Sequence, residues 1–384
     1  MEHGRSKRVG VVIGGSGLIG GTIVYFFKKY CNSNIQLLAP NSKKMSLRNP
    51  DDIKQYIEYY RPDFIINSAI AAIDSDPKMA YEVNYLGSIN LAKAAIALKI
   101  PYIYISSAAV LENGLGVKED QVLPLVAEMS HYAKSKLMCE RSLANLSENE
   151  GLDYTAVRLA IVYGKHDHKI QGFHRLLFSI ADQSMPWLFT RKDVCHSYTN
   201  AKKIGPFIDH ILNHRDEFRG EVFNFVDSSQ VSLPQLILTI KSFLELQKPR
   251  NFYMPLDVAQ FGAGFLAKLV KMMARIGIEA RMPAELMFLE NFYESQVLST
   301  DKLKQSSFRD PFPQETIFGN LPDLIEYYLT RWEQLNLISG FNKEFFDPAH
   351  QVDDFLIAPE SLLHKHHTGA VNPFCDFSQI DKDQ

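Results

Sequence analysis

A tyrosine and a lysine four residues apart are the side chains in this sequence best suited to acid–base chemistry. Tyr132 and Lys136 lie in the segment 130–136, and on a helix this spacing places both on one face. A free tyrosine has a pKa of about 10, and a nearby positive charge favours the phenolate and lowers that pKa. The pair therefore predicts a tyrosine that exchanges a proton with a substrate beside a lysine ammonium.

A serine upstream is a candidate to hold the group that receives the proton. The segment 100–107 reads as a buried strand and ends in Ser106 and Ser107. Ligands of parallel α/β sheets bind outside the carboxyl ends of the strands. We expect the Ser107 hydroxyl to hold a substrate oxygen while Tyr132 transfers the proton.

The chain opens with a pattern typical of dinucleotide binding. An apolar strand at 8–13 is followed by Gly14, Gly17 and Gly20 and then by a helical segment through Tyr30. Glycines permit a tight turn and let the backbone approach a pyrophosphate, which then meets the N-terminus of the helix. The pattern therefore predicts a nucleotide cofactor.

The segment after the second strand, 35–39, indicates which cofactor. NAD-binding folds usually carry an acidic residue about 20 residues beyond the glycines, where it holds the ribose 2′-hydroxyl. Here the residues are Asn41, Ser42, Lys43 and Lys44, which could surround a 2′-phosphate. The sequence favours NADP(H) over NAD(H).

Strands and helices alternate along the first half of the chain, with further strands at 62–69 and 100–107 and helices at 51–60 and 77–98. This alternation predicts an α/β fold, a Rossmann-type doubly wound parallel sheet with a smaller α+β substrate-binding region and a C-terminal extension. The predicted parts are a dinucleotide-binding domain (1–165 with part of 190–230), the substrate-binding region (166–190 and 230–335) and an extension of unknown role (336–384).

These motifs together resemble the extended short-chain dehydrogenase/reductase superfamily, and 61–95 resembles nucleotide-sugar reductases of the dTDP-4-dehydrorhamnose reductase type. The resemblance implies that Tyr132 is the general acid/base, that Lys136 lowers its pKa and holds the nicotinamide ribose, and that Ser107 orients the carbonyl. The cofactor-binding residues expected on this basis are Gly14, Ser16, Gly17, Leu18, Ile19, Gly20, Asn41, Ser42, Lys43, Ser68, Ala69, Asn84, Tyr132, Lys136, Ala160 and Val162.

The sequence departs from the family pattern just after Ser107. Sugar dehydratases carry a Thr-Asp-Glu triplet here, whereas this chain has Ser107, Ala108 and Ala109. The acid that would protonate a leaving hydroxyl is missing, so dehydration is disfavoured. Beyond Gly164, three residues are candidate donors to a substrate phosphate or hydroxyl: Arg191, His196 and Tyr198.

Composition excludes several other roles. The 384 residues are 46% hydrophobic and 22% charged with a net charge of −3, which gives no support to nucleic-acid binding. The four cysteines are scattered, no signal peptide or membrane span is evident, and we expect a cytoplasmic protein. The histidines at 364, 366 and 367 lack partners that would complete a metal site, so no metal is predicted. The C-terminal segment 333–384 is rich in phenylalanine and is expected to pack on its own subunit or on a second copy. A homodimer is therefore possible.

The leading hypothesis is an NAD(P)-dependent oxidoreductase that reduces a carbonyl of a nucleotide sugar or a similar small molecule. An NAD-retaining nucleotide-sugar epimerase is the first alternative. A non-catalytic dinucleotide-binding regulatory or scaffold protein is the second. The apolar segment 254–278 also leaves steroid-like or other lipid ketones open as substrates.

Overall fold

A computed structural model describes residues 7–31, 34–71, 75–181, 190–246, 255–256, 292–335, 337 and 351–368. The chain divides into two compact units, 1–322 and 323–384. The apolar segment 254–278 lies almost entirely outside the described residues.

The strands are β1 (Arg8–Ile13), β2 (Ile35–Leu38), β3 (Phe64–Asn67), β4 (Tyr102–Ser107), β5 (Gly114–Val117), β6 (Tyr154–Leu159), β7 (Ile161–Tyr163), β8 (Cys195–His196), β9 (Tyr198–Asn200), β10 (Glu221–Phe225), β11 (Val231–Ser232) and β12 (Gln296–Leu298). The helices are α1 (Leu18–Tyr30), α2 (Pro50–Tyr60), α3 (Pro77–Met79), α4 (Gly87–Leu98), α5 (His131–Glu150), α6 (Gly172–Ala181), α7 (Ala201–Asn213), α8 (Arg215–Phe218), α9 (Leu233–Phe243), α10 (Asp301–Gln305), α11 (Ile317–Gln334), α12 (Gln351–Ile357) and α13 (Pro359–His367). A π-helical segment, Ala80–Leu86, joins α3 to α4, and a 3₁₀ turn, Ala108–Val110, follows β4.

Six strands form a parallel sheet in the order β10-β6-β4-β3-β1-β2. The predicted α/β class and parallel sheet are confirmed. Strand β1 lies between β2 and β3, so the chain changes direction across the sheet between β1 and β3. Ligands bind in the crevice at such a switch point, outside the carboxyl ends of the strands. The glycine-rich segment after β1 lies at this point.

Helices cover both faces of the sheet, as a buried parallel sheet requires. One apolar cluster contains Val12, Phe27 and Phe207, so α1 and α7 pack on that face. The other contains Val11 and Leu143, with α2, α4 and α5 on the opposite face. Neighbouring residues such as Val11 and Val12 enter different clusters because side chains alternate along a strand.

A smaller sheet connects the segment after Ser107 to the region predicted to bind substrate. Its order is β11-β8-β12-β5, and β5 follows β4 closely in the chain. Strand β12 pairs with β5 on one side and with β8 on the other. This sheet therefore joins the segment after Ser107 to the strand that carries His196.

Most predicted elements occur within a residue or two of their expected limits. Helix α11 begins at Ile317, because Thr316 caps its first turn through a hydrogen bond from the Gly319 N–H at 3.2 Å. Among the described residues, none of the helices combines the length and apolar character that crossing a membrane requires.

Candidate active site

The glycine-rich loop packs so closely that two of its positions exclude a side chain. Gly14 has a φ of +85°, and a Cβ there would lie 2.8 Å from the backbone nitrogen of Ala69. A Cβ on Gly20 would lie 2.2 Å from the carbonyl oxygen of Gly14 and 2.6 Å from the Ser68 hydroxyl oxygen. The Ser68 hydroxyl donates to the Ile13 carbonyl at 2.7 Å. The loop after β1 is thereby fixed to the end of β3.

The N-terminus of α1 fits the pyrophosphate of a dinucleotide. Gly17 is the N-cap and makes no side-chain hydrogen bond to the first helical turn. The N–H groups of a first turn have no partner within the helix, and the helix dipole favours an anion there. Ser16 and Gly17 are exposed, whereas Leu18 and Ile19 are half-buried. These predicted cofactor residues lie together at the switch point of the sheet.

The loop after β2 presents two lysines to solvent. The side-chain oxygen of Asn41 accepts hydrogen bonds from the N–H groups of Lys43 and Lys44, both at 3.1 Å. Asn41, Ser42, Lys43 and Lys44 are all exposed. A Cβ on Gly15 would lie 2.8 Å from the Cβ of Ala39, so this loop starts directly beside the glycine-rich one. Asn41 shapes the turn, and the lysine side chains extend from it.

Asn84, predicted to bind the cofactor, is engaged by the protein itself. Its side-chain oxygen accepts from the Ala71 N–H at 2.7 Å, and its amide donates to the Ser135 hydroxyl at 3.1 Å. Its carbonyl, in the π-helical segment, accepts from the Cys139 thiol at 3.0 Å. Asn84 is 2% exposed. It therefore connects α5 to the loop after β3, and any influence on a cofactor passes through those contacts.

Ser107 and Tyr132 come together at the carboxyl end of β4. The Ser107 hydroxyl oxygen caps the 3₁₀ turn by accepting from the Ala109 N–H at 3.2 Å. Ser130 begins α5 by accepting from the Ala133 N–H at 3.2 Å, and Tyr132 is in the first turn of that helix. Burial raises the pKa of Tyr132, and a hydrogen bond with Ser107 partly offsets the rise. The structure therefore brings Ser107 and Tyr132 close enough for the serine hydroxyl to influence the ionisation of the phenol.

Lys136 lies beneath the same strand end. Its ammonium donates to the Ile105 carbonyl at 2.7 Å and sits 4.6 Å from the centroid of the Tyr104 ring. Burial lowers its pKa to about 8, against the raising effects of Cys139 and Glu140. The resemblance implies that Lys136 lowers the pKa of Tyr132, and this stays a prediction. The net shift of the Tyr132 pKa is upward, because burial is its largest cause.

A buried ion pair fixes the helix that carries Tyr132 and Lys136. Arg158 on β6 donates to both carboxylate oxygens of Glu140 on α5, at 2.9 and 2.7 Å. Its third contact is the Glu119 carbonyl at 2.6 Å. The two side chains are 3% and 6% exposed. The pair anchors α5 against the sheet one helical turn beyond Lys136.

The segment with the predicted cofactor residues Ala160 and Val162, which the family resemblance implies would flank the nicotinamide, runs beside the start of α1. The Ala160 N–H donates to the Thr199 hydroxyl at 3.3 Å, and Val162 pairs with Thr199 between β7 and β9. A Cβ on Gly164 would lie 3.4 Å from Cδ1 of Leu18. Ala160 and Val162 are half-buried. The segment thus returns to the glycine-rich loop, as a flanking role requires.

The three predicted substrate donors occupy different environments. Arg191 is exposed and forms an ion pair with Asp193 at 3.5 Å. His196 is 6% exposed, on β8 between β11 and β12. Tyr198 has no exposed surface and contacts the Phe173 ring edge-on, and burial raises its pKa. Its placement in the core is at odds with direct contact to a substrate in this conformation.

One residue at this site has no signal in the sequence. The side-chain amide of Gln296, on β12, donates to the carbonyls of Ala108, Leu111 and Glu112 at 3.1, 3.3 and 3.3 Å. These carbonyls belong to the 3₁₀ turn that follows Ser107 and to the two residues directly after it. No periodicity or motif marks Gln296, because the contact spans more than 180 residues of sequence.

The family of the protein follows from comparison with known sequences. Residues 11–218 match the NAD dependent epimerase/dehydratase family. Because the match covers more than half of the chain, the protein belongs to this family. The resemblance to the extended short-chain dehydrogenase/reductase superfamily, which groups NAD(P)-dependent oxidoreductases, is confirmed.

Three curated relatives illustrate the range of the family. Sterol-4-alpha-carboxylate 3-dehydrogenase from Schizosaccharomyces pombe is 26% identical over 58% of this chain and 70% of its own. The beta subunit of methionine adenosyltransferase 2 from Xenopus laevis is 26% identical over 45% of this chain and 52% of its own. A dTDP-4-dehydrorhamnose reductase from Sinorhizobium fredii is 28% identical over 42% of this chain and 53% of its own. The chain thus spans about half the length of the last two.

Solved structures support the fold. A Bacillus anthracis dTDP-4-dehydrorhamnose reductase in complex with NADP superposes with a TM-score of 0.57 at 16% identity, over 84% of this chain and 99% of its own. A Thermus thermophilus UDP-glucose 4-epimerase in complex with NAD superposes with a TM-score of 0.60 at 16% identity, over 83% and 98%. At this identity the likeness establishes the Rossmann-type fold alone.

Proposed function

We propose that this protein reduces a carbonyl group of a nucleotide sugar or a similar small molecule, with NADP(H) as the cofactor and Tyr132 as the proton donor. The observation that carries the proposal is the convergence of Ser107 and Tyr132 at the carboxyl end of β4, near enough for the serine hydroxyl to affect the pKa of the phenol, with Lys136 on the neighbouring carbonyl of Ile105. Binding a dinucleotide alone does not require these three groups together.

The residues divide the reaction between them. When bound, the reduced nicotinamide supplies a hydride to the carbonyl carbon. Tyr132 donates its phenolic proton to the carbonyl oxygen, so that the product is an alcohol, and solvent restores the proton. The Ser107 hydroxyl donates a hydrogen bond to the oxygen as negative charge develops there. Proton transfer of this kind contributes roughly 10²–10⁴-fold in rate, and a positioned donor roughly 3–4 kcal/mol.

The raised pKa of Tyr132 suits the reductive direction. A phenol whose pKa lies above its ordinary value keeps its proton at neutral pH and is ready to donate it. The Lys136 ammonium, close beneath the same strand end, stabilises the phenolate left after donation. The reverse oxidation would need Tyr132 to begin as a phenolate, which its burial opposes.

The absence of an acid beside Ser107 separates reduction from dehydration. Ala108 and Ala109 occupy the two positions where a dehydratase carries its acidic pair, and neither side chain can protonate a leaving hydroxyl. Reduction needs no such group. The chemistry available at the turn after β4 therefore favours hydride and proton transfer to a ketone.

NADP(H) is favoured by charge. Lys43 and Lys44 are exposed at the end of the loop after β2, and Asn41 holds that turn in shape. A 2′-phosphate carries about two negative charges, which ammonium groups stabilise. Within the described loop 39–46, no carboxylate is present to receive a ribose hydroxyl instead.

A non-catalytic role is the second candidate, favoured by the relative that is named as a subunit of methionine adenosyltransferase. Under this alternative, Tyr132 and Ser107 would be structural, and turnover would be absent with every ketone. Cofactor binding would remain. The epimerase alternative predicts conversion without net consumption of NADPH.

A ligand panel followed by one substitution tests the proposal. Melting temperatures are measured with NADPH, NADH, dTDP-4-dehydrorhamnose, UDP-glucose and a sterol-4-carboxylate, since a ligand of the native state raises the melting point. NADPH oxidation is then followed with dTDP-4-dehydrorhamnose, the ketone of this panel. We expect Tyr132→Phe to lower kcat by at least about 10²-fold while NADPH still binds. Tyr59→Phe, whose ring is 80% exposed on α2, is the matched control and should behave as wild type. Equal rates in wild type and Tyr132→Phe would refute the assignment.

A further inference from the structure

The turn that carries Ser107 is held from outside the nucleotide-binding part of the sheet. Three carbonyls of that turn, those of Ala108, Leu111 and Glu112, point toward the side-chain amide of Gln296. Carbonyl oxygens that converge on one point repel each other unless a donor lies between them. The amide group supplies two N–H donors at that point. Gln296 is therefore the group that makes this convergence favourable.

The rest of the turn depends on the same geometry. The Leu111 N–H donates to the Ala108 carbonyl at 2.9 Å, and the Ala109 N–H donates to the Ser107 hydroxyl oxygen. The Ser107 hydroxyl in turn lies near enough to Tyr132 to influence its pKa. The Ala108 carbonyl and the Ala109 N–H belong to the same peptide group. A shift of that carbonyl would therefore also move the N–H that donates to the Ser107 hydroxyl oxygen. The side chain of Gln296 is thus two hydrogen bonds away from the proposed catalytic serine.

The backbone of Gln296 is fixed independently of its side chain. Its carbonyl accepts from the Ser197 N–H at 2.9 Å, and the Ser295 carbonyl beside it accepts from the Gly114 N–H at 2.7 Å. Strand β12 therefore stays between β5 and β8 whatever the side chain at 296. Replacing the amide should leave the small sheet intact and affect the turn alone.

From these contacts we infer that Gln296 is a positioning residue, which sets the Ser107 turn from the strand next to the predicted substrate residue His196. The inference rests on the proposed function for the role of Ser107. It assigns to β12 the task of coupling the substrate side of the chain to the proton-transfer groups. No atom of Gln296 needs to touch the substrate.

Two substitutions at 296 and one control test the inference. Gln296→Met keeps the length of the side chain and removes the donor. Gln296→Glu places a carboxylate against three carbonyls at neutral pH but offers an O–H donor once protonated. Gln121→Glu is the control, because the Gln121 side-chain oxygen only accepts a hydrogen bond, from the Lys118 N–H at 2.8 Å, and glutamate retains that acceptor.

Hydrogen exchange gives the first readout. In both 296 variants the amides of 108–112 should exchange faster by on the order of tenfold, because the carbonyls of the buried residues Ala108 and Leu111 have lost their donor. Peptides from the glycine-rich loop, 8–24, should exchange as in wild type, and NADPH affinity should stay within about twofold. The control should match wild type throughout. Unchanged exchange at 108–112 in both variants would overturn the inference, as would faster exchange across the whole chain.

Turnover gives the second readout, with NADPH and dTDP-4-dehydrorhamnose as the probes. We expect kcat of both variants to fall by on the order of 10–100-fold with the KM for NADPH unchanged, since a small displacement of a catalytic group is costly. Gln296→Glu should regain activity as pH falls from about 8 to about 5.5, whereas Gln296→Met should not. Parallel pH profiles of the two variants would contradict a positioning role. If wild type reduces no ketone, the proposed function fails, and the exchange experiment alone decides the role of Gln296.

Discussion

At the scale of single residues, burial has the largest influence on the acid–base groups of this site. Tyr132 and Lys136 are four residues apart on α5, yet the pKa of each moves in the direction that burial imposes. The phenol becomes harder to ionise and the ammonium easier to deprotonate. Loss of the Lys136 charge at high pH should therefore further disfavour the Tyr132 phenolate, whose formation burial already opposes.

Lys136 makes the pH dependence of catalysis testable. Its pKa is lowered to about 8, so its positive charge is present below that pH and is lost above it. We expect kcat/KM to fall as pH rises through about 8, because the neutral amine no longer stabilises the Tyr132 phenolate. Lys136→Arg, which stays charged, should shift this limb upward at a reduced rate. A wild-type profile that stays flat to about pH 9.5 would contradict the role of Lys136.

Stability should have the opposite slope over the same range, which separates catalysis from unfolding. The pKa of Lys136 falls from 10.5 to about 8 on folding, so between these values the unfolded chain binds more protons than the native one. Where the unfolded state binds more protons, stability rises with pH. The contribution of Lys136 to the free energy of unfolding therefore increases from about pH 8 upward.

At the scale of secondary-structure elements, α5 is attached to the sheet by a buried ion pair and to the loop after β3 by an amide. Arg158 and Glu140 provide the first attachment, and Asn84 with Ser135 the second. Both lie within about two helical turns of Tyr132. The position of the proposed proton donor is therefore set by groups that never reach a substrate.

We expect Glu140→Gln to lower the free energy of unfolding by about 3 kcal/mol, because it leaves the Arg158 guanidinium buried without a counter-charge. Glu82→Gln is the matched control. Glu82 pairs with Arg48, whose side chain is 47% exposed, and an exposed pair contributes about 1 kcal/mol at most. Urea unfolding of the three proteins measures both values. Equal losses in the two variants would show that burial of the Arg158 pair is unimportant.

The elements were predictable from sequence to different degrees. The strand at 8–13 and the tight turn with glycines at 14, 17 and 20 could be predicted from local composition. The strand preference of β-branched residues and the conformational freedom of glycine both act over a few neighbouring positions. The π-helical segment at 80–86 and the hydrogen bonds from the Gln296 side chain to the turn after Ser107 depend on contacts between residues far apart in the sequence. The upward shift of the Tyr132 pKa could not be predicted from the sequence either, because spacing identifies a shared helix face but does not measure burial.

At the scale of the whole molecule, the parallel sheet brings residues that are far apart in the sequence to one edge. Gly14 follows β1, Ser68 follows β3, and Ser107 ends β4, so neighbouring strands place the glycine-rich loop and the proposed catalytic serine on the same side. This arrangement follows from parallel topology, and the alternation of strands and helices was sufficient to predict it. Membership of the NAD dependent epimerase/dehydratase family is consistent with this placement of the glycine-rich loop.

Cofactor preference can be measured as a change in the melting temperature of the whole protein, because a bound cofactor stabilises the native state. NADPH should stabilise wild type more than NADH, because the exposed loop lets Lys43 approach a 2′-phosphate. Lys43→Glu should weaken NADPH binding roughly tenfold and leave NADH binding nearly unchanged. Lys54→Glu, an exposed charge reversal on α2, is the control. If NADPH and NADH respond alike to Lys43→Glu, the predicted preference is wrong.

The π-helical turn also limits how the gene can change in length. An added or lost residue in a regular, half-exposed helix rotates the rest of that helix by about 100°, and many proteins tolerate this at a helix end. Here the wider turn sets the Asn84 carbonyl on the Cys139 thiol and its side chain on Ala71 and Ser135. A single-codon deletion between 80 and 86 would convert the segment to ordinary helix and swing all of these contacts away together. This stretch is therefore a spacer of fixed length between α3 and α4.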